Sequence, residues 1–330
     1  IIRPARSRLA REIATCDIAI TTDLGPIFAQ VANVPYVIIP SGSDLTQWPF
    51  PIRARATRKR GKEDILATLI AFRLRKAIRS AESIWGEAYS RFPGALERLG
   101  CELGGYLLWP IDTNTFSPEV SDVNAKRREG AITIFHPTRM MFNPDPFLME
   151  SMGWKRNDLL IEGVAKAIRQ GVDVRLVLVD RVGSPDEAKA RRLIDRLGIA
   201  EHVNWLMPEN PEGYTWREVV ELYRSSDLVV DEFGGCLGLV ALEGASCGRP
   251  VLNWLDSKGV EDVVESLYPD GHPLLQAESV DEVCDVIVSI ADQGLRTSIG
   301  RASRQWVLDH HERSMVALRC EAMLKDLLGD

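Results

Sequence analysis

The chain of 330 residues carries 40 basic and 47 acidic side chains, a net charge of −7, and 45% apolar residues. At about 100–200 residues per domain this describes a two-domain globular chain with ample core, which excludes disorder. The acidic balance excludes phosphate-backbone binding as its main role, because nucleic acid wants a strongly basic face.

In chain order, Asp17 to Thr22 and Tyr36 to Pro40 read as buried strands around a short helix, Pro26 to Ala32. Arg53, Arg55, Arg58, Lys59, Arg60 and Lys62 then form a basic cluster ahead of an amphipathic helix, about Glu63 to Ser80, whose Leu66, Ile70, Leu74 and Ala77/Ile78 make one apolar stripe. Such a stretch over 53–80 could lie on anionic lipid, or be a solvated loop beside a core-facing helix. A strand at Ser83 to Trp85, a helix near Tyr89 to Leu99 and a strand ending at Tyr106 complete a first α/β domain over 1–110. A doubly wound half of five or six βα units needs roughly 80–110 residues beyond those present, so this domain reads as truncated at its N-terminus.

Residues 111–130 make the linker, with two proline turns in Tyr106 to Pro118. From 131 to 295 the chain alternates short apolar runs with 3.6-period stretches. The runs are Ile132 to Phe135, Val174 to Val179, Val203 to Leu206, Leu228 to Val230, Val251 to Trp254 and Pro273 to Leu275. Six such βα units predict a doubly wound parallel sheet, an α/β fold. Capping boxes begin helices at Ser184, Thr215 and Ser279, and Gly171, Gly198 and Gly248 follow helix ends. Two helices, Arg296 to His310 and Arg313 to Leu328, fill 296–330 and could cross back to the first domain. His202, His310 and His311 read as surface residues.

Doubly wound sheets bind ligands outside the carboxyl ends of their strands. The loop after Ile132 to Phe135 carries Arg139 and, beyond a Pro- and Met-rich stretch, Lys155. A guanidinium fork and an ammonium point charge in one loop can hold a diphosphate. After Leu228 to Asp231 comes Glu232-Phe233-Gly234-Gly235-Cys236-Leu237-Gly238, opening a helix that contains Glu243. Glycines there let backbone amides approach an anion. Neither G-x-G-x-x-G nor a P-loop lysine is present, which disfavours a nicotinamide dehydrogenase. The six cysteines show no metal spacing and suit a reducing cytoplasm, and the longest uncharged apolar runs, about eight residues, fall far short of the ~18 of a membrane span.

The run GLVALEGASCGRPVL, Gly238 to Leu252, resembles the nucleotide-sugar signature of GT-B retaining glycosyltransferases of the family 4 type (glycosyl transferases group 1). PIDTNTFSP, Pro110 to Pro118, is similar to that family's interdomain entry, and Arg139 and Lys155 fall where its donor-diphosphate pair belongs. The resemblance covers roughly Asp17 to Leu328. It implies two Rossmann-like doubly wound domains, the first partial, and transfer of a sugar from a nucleotide-diphosphate sugar to an acceptor hydroxyl with retention of configuration. Arg139 and Lys155 would be the catalytic cations; Glu243 would bind the ribose hydroxyls, and the amides of Gly238, Leu239 and Val240 would touch phosphate or sugar.

The acceptor implied is a glycan, a lipid-linked or a small molecule, approached by Gly42 and Asp44 of the Ser41-Gly42-Ser43-Asp44 loop. No metal or other cofactor and no nucleic acid enter this reading, and the place of action is cytoplasmic or peripheral on the inner face of the membrane. One departure stands out. The family pairs two glutamates eight positions apart, whereas eight before Glu243 stands Gly235, with Glu232 the nearby candidate to replace the missing carboxylate. A nucleotide-sugar 2-epimerase of the same architecture and a non-catalytic nucleotide-sugar-binding module are the alternatives.

Overall fold

The computed structural model describes residues 4–50, 62–90, 92–118, 130–143, 154–181, 184–210 and 213–329. They fall into two compact units, one drawing on Ile1–Leu108 and Ala322–Asp330, the other on Trp109–Pro144 and Gly153–Glu321.

The first unit runs α1 (Arg8–Ile13), β1 (Ala19–Thr21), α2 (Gly25–Ala32), β2 (Tyr36–Ile38), α3 (Ser43–Thr46), α4 (Lys62–Arg79), β3 (Ser83–Gly86), α5 (Pro93–Leu99) and β4 (Gly105–Tyr106). Its strands lie side by side in the order β1-β2-β3-β4, all parallel. Tyr36, Val37 and Ile38 are all buried, as a strand covered on both faces requires. Ile27, Ile38, Leu45, Leu74 and Leu99 centre the core. On α4 the predicted stripe meets that core only through its later members: Leu74, Ala77 and Ile78 are buried, while Leu66 is 40% exposed. Arg53, Arg55, Arg58, Lys59 and Arg60 lie outside the described residues.

The second unit contains all six predicted βα repeats. They are β5 (Ile132–His136), α6 (Asn157–Arg169), β6 (Val174–Val179), α7 (Glu187–Leu197), β7 (Val203–Leu206), α8 (Trp216–Ser225), β8 (Leu228–Val230), α9 (Leu239–Ser246), β9 (Val251–Asn253), α10 (Glu261–Leu267), β10 (Leu275–Gln276) and α11 (Val280–Ser289). Two long helices follow, α12 (Gln293–His310) and α13 (Arg313–Leu328). The sheet is parallel in the order β10-β9-β8-β5-β6-β7. Its direction of winding reverses between β5 and β8, which makes the carboxyl ends of those two strands the topological switch point. Ile134, Leu176, Leu228 and Val230 are fully buried within it, each worth roughly 1.5–3 kcal/mol of transfer free energy.

Thr215 and Ser279 form complete capping boxes with Glu218 and Glu282. The box expected at Ser184 does not form. Helix α7 begins instead at Asp186, whose carboxylate accepts from the amide of Phe142 at 2.8 Å and pairs with Lys189. The segment after Leu108 is tied into this unit: the Arg304 guanidinium donates to the carbonyls of Phe116 (2.9 Å), Thr113 (3.1 Å) and Ser246 (2.9 Å). His311, expected at the surface, is fully buried in the break after α12. Its Nδ1 bonds the carbonyl of Trp109 at 2.9 Å and its Nε2 the hydroxyl of Tyr268 at 3.0 Å, so two polar partners remote in sequence make burial tolerable. Among the described residues no helix is long and apolar enough to cross a membrane.

Candidate functional site

The switch point is built from three loops. The first follows β5, where His136 is fully buried. Its Nδ1 lies 2.9 Å from the carbonyl of Val230 on β8, which requires the proton on that nitrogen. Nε2 then accepts from the Thr138 hydroxyl (3.0 Å) and the Asn157 amide (2.6 Å), while Asn157 Oδ1 accepts from the amide of Met141 (2.7 Å). Burial pushes the imidazole down to about 4, so it is a neutral pin joining β5, β8 and the start of α6. Arg139 leaves this loop exposed, with no hydrogen bond or ion pair among the described residues.

The second loop delivers Lys155. The amides of Lys155 and Arg156 both donate to the carbonyl of Met141, at 3.1 and 3.0 Å, and the carbonyl of Lys155 accepts from Phe233 at 3.0 Å. The lysine backbone is thereby stitched to the loops after β5 and β8. Its ammonium pairs with the carboxylate of Glu232, and the side chain is 16% exposed. Burial works against that charge, but Glu232 and Asp231 outweigh it and hold the ammonium above the ordinary lysine range.

The third loop, after β8, is shaped by close approaches. A Cβ on Gly234 would stand 1.9 Å from the carbonyl oxygen of Trp154, and one on Gly238 would stand 2.5 Å from Oδ2 of Asp231. Gly235 has φ +94°, and its Cβ would meet the ring of Trp254 and Cβ of Asp256. No glutamate side chain fits there, which is the structural counterpart of the departure from the two-glutamate pattern. Asp231 is buried and its Oδ2 accepts from the Gly238 amide at 2.9 Å; burial, and then the charge of Glu232, raise its pKa. Asp231 thus holds the Gly238 amide, which is not available to a ligand as the sequence suggests; past it, the amides of Leu239 and Val240 at the start of α9 have no side-chain acceptor among the described residues, as an anion-binding helix start requires.

A turn and a half into α9, Glu243 is 8% exposed and its Oε2 accepts the Tyr223 hydroxyl at 2.7 Å. Burial pushes its carboxyl up to about 7. Tyr223 is itself held edge-on by Phe135 and Phe116.

In the first unit, Asp44 is 2% exposed and both its oxygens are occupied. Oδ2 accepts from the amides of Asp23 and Ser41, Oδ1 from those of Gly42 and Leu45. Asp44 therefore ties together the loops after β1 and β2, and Gly42, at φ +111°, is the residue whose backbone that tie bends.

Lys155, Glu232, Asp231 and Gly238 are thus one contact chain, continuing into Leu239, Val240 and Glu243 on α9. Asp231, His136, Asn157 and Tyr223 join it without having been singled out from the sequence. An acid closing the apolar run Leu228 to Val230 signals Asp231; nothing in the spacing signals the Tyr223 pairing.

A parallel sheet in each unit, with cationic loops, a glycine-opened helix and a buried glutamate at the switch point of the second, defines the GT-B class of two Rossmann-like domains. The chain belongs to the glycosyl transferases group 1 family, whose model matches residues 150–321. D-inositol 3-phosphate glycosyltransferase of Mycolicibacterium smegmatis is 36% identical over 99 residues, 28% of this chain and 22% of that protein. The same organism's GDP-mannose-dependent alpha-(1-6)-phosphatidylinositol monomannoside mannosyltransferase is 25% identical over 293 residues, 87% of this chain and 69% of that one. In fold the chain resembles Anabaena Alr3699/HepE in complex with UDP and glucose, with a TM-score of 0.64 at 18% identity over 96% of this chain and 80% of that chain. The matched stretch spans less than a quarter of the length of the inositol-phosphate enzyme.

Proposed function

We propose that the protein transfers a sugar from a nucleotide-diphosphate sugar to an acceptor hydroxyl, with retention of configuration and without a metal ion. The observation that carries this reading is the pairing of Lys155 with Glu232 beside the bond from the Gly238 amide to the adjoining Asp231 at the opening of α9, at the end of a sheet where doubly wound proteins bind nucleotides. Arg139 and Lys155 neutralise the diphosphate, the amides of Leu239 and Val240 receive phosphate or sugar oxygens while Asp231 keeps the Gly238 amide, and Glu243 takes the ribose hydroxyls. As the glycosidic bond breaks, negative charge grows on the diphosphate. Fixed cations and helix amides aimed at that oxygen lower the barrier without reorganisation.

The acceptor meets the first unit at the Gly42 loop, which Asp44 positions rather than contacts. The names of the relatives put phosphorylated and lipid-linked inositols first among acceptors to screen. Exposed Ile65 and Phe72 on α4 support peripheral membrane contact through 53–80.

A thermal-shift panel of uridine, guanosine and adenosine diphosphate sugars tests the donor, since a ligand that binds only the folded state raises its melting temperature. The best donor is then incubated with and without acceptors and the product's anomeric configuration read by NMR. Glycoside formed with retention in metal-free buffer is expected; an epimerised donor formed without acceptor contradicts the proposal.

A further inference from the structure

We propose that Glu232 is a counter-ion built into the site, which competes with the donor diphosphate for the ammonium of Lys155 and so sets how tightly the donor is held. The inference rests on the reading of Lys155 as the diphosphate cation.

Two carboxylates face this one ammonium. Asp231 is fully enclosed and committed, because its Oδ2 takes the Gly238 amide at 2.9 Å. Glu232 is committed only through its backbone: its carbonyl accepts from Trp254 at 3.0 Å, and the next amide, Phe233, donates to Lys155 at 3.0 Å. Its side chain, 5% exposed, is given over to the lysine ion pair. Backbone and side chain therefore do separate jobs. The backbone joins the loops whether or not the ion pair is made, and the carboxylate can leave the ammonium without unstitching them.

A diphosphate beside Lys155 would meet Glu232 as a like charge in a poorly solvated setting, where repulsion is far stronger than in water. The ammonium has donors for both groups, but its single positive charge does not neutralise a carboxylate and a diphosphate together in this setting. The two anions therefore exchange. Phe233 and Gly234 follow, and Gly235 stands where the family carries its first glutamate. Glu232 is accordingly the acid of this loop that reaches the lysine.

Calorimetric titration with inorganic pyrophosphate in metal-free buffer tests the exchange, because this probe carries the diphosphate without base or sugar. Glu232→Gln keeps the side chain's size and removes its charge. It is expected to tighten pyrophosphate binding by about tenfold, as expected for loss of a close competing charge pair. Glu232→Ala should act in the same direction, which guards against an effect peculiar to the amide. In a Lys155→Met background the gain should vanish, whereas a general change of field would persist. Unchanged or weaker binding by both Glu232 variants, with binding lost in Lys155→Met alone, overturns the exchange and leaves the role of Lys155 standing. Wild-type pyrophosphate affinity in Lys155→Met overturns both. Melting curves of each variant without probe establish that folded proteins are compared.

Discussion

The hydroxyl of Tyr223 donates a 2.7 Å hydrogen bond to Oε2 of Glu243, and both groups are buried. One oxygen of the glutamate is thereby held, which fixes the plane of the carboxylate; in the proposed function the other oxygen receives a sugar hydroxyl.

Removing that donor by Tyr223→Phe should raise the donor KM about tenfold or more with little change in kcat, because a hydrogen bond to a charged group is worth about 1.5–3 kcal/mol. Steady-state kinetics at varied donor concentration read the split. Since the bond opposes the rise in the Glu243 pKa, the pH at which donor binding strengthens should also move upward in the variant.

Glu243 itself should trade stability for binding. Its folded-state pKa, about 7, lies above the ordinary 4.5, so its protonated form is favoured in the fold. Its contribution to stability is full below pH 4.5 and is lost as pH rises through 7. A shift of this size corresponds to roughly 3 kcal/mol. Glu243→Gln should therefore melt higher than the wild type at pH 8, with the gain shrinking toward pH 4.5, while donor binding falls. Differential scanning calorimetry across that range checks the sign.

The two buried histidines work in the opposite sense. Burial lowers His136 and His311 to about 4 from 6.5. The stability that each neutral ring contributes is present above pH 6.5 and is lost as pH falls through 4, by roughly 3 kcal/mol each. His311→Gln should lower stability at pH 7.5 but flatten the acid limb of the curve, as measured by urea midpoints at pH 7.5 and pH 5.

Gly234→Ala should be severe for a steric reason alone. The added methyl would stand 1.9 Å from the carbonyl oxygen of Trp154, and that backbone is tied to Lys155. A destabilisation of about 1–3 kcal/mol is expected, as for other overpacked sites, together with loss of donor binding. Gly198→Ala, at a helix end with nothing within 4 Å of its Cβ but φ +71°, should cost only about 1 kcal/mol of backbone strain. Chemical denaturation of the two variants separates clash from strain.

Periodicity made the second unit legible. Five of its apolar runs coincide with strands of one parallel sheet and the sixth, Pro273 to Leu275, reaches its strand only at Leu275, and the loops at the carboxyl ends followed from the rule for such sheets. What stayed hidden were partnerships over long sequence separation. Lys155 meets Glu232 and His311 meets Trp109 and Tyr268 only through the fold, so the lysine read as a diphosphate cation has a carboxylate partner that spacing does not signal, and a histidine read as surface is buried. Ser184 failed as a cap because Asp186 had stronger local partners in the Phe142 amide and Lys189. Asp44 shows the same limit. Its four amide donors come from two loops, only one of them adjacent in sequence.

Arg139→Ala reads out whether the cations after β5 act on the donor diphosphate. Arg139 is exposed, so its removal should change stability by no more than about 0.5 kcal/mol. Turnover of the nucleotide sugar that best raises the melting temperature, followed by release of nucleoside diphosphate with acceptor present, should fall about 10²–10³-fold. Wild-type turnover by a folded Arg139→Ala protein would mean that Arg139 does not act on the diphosphate.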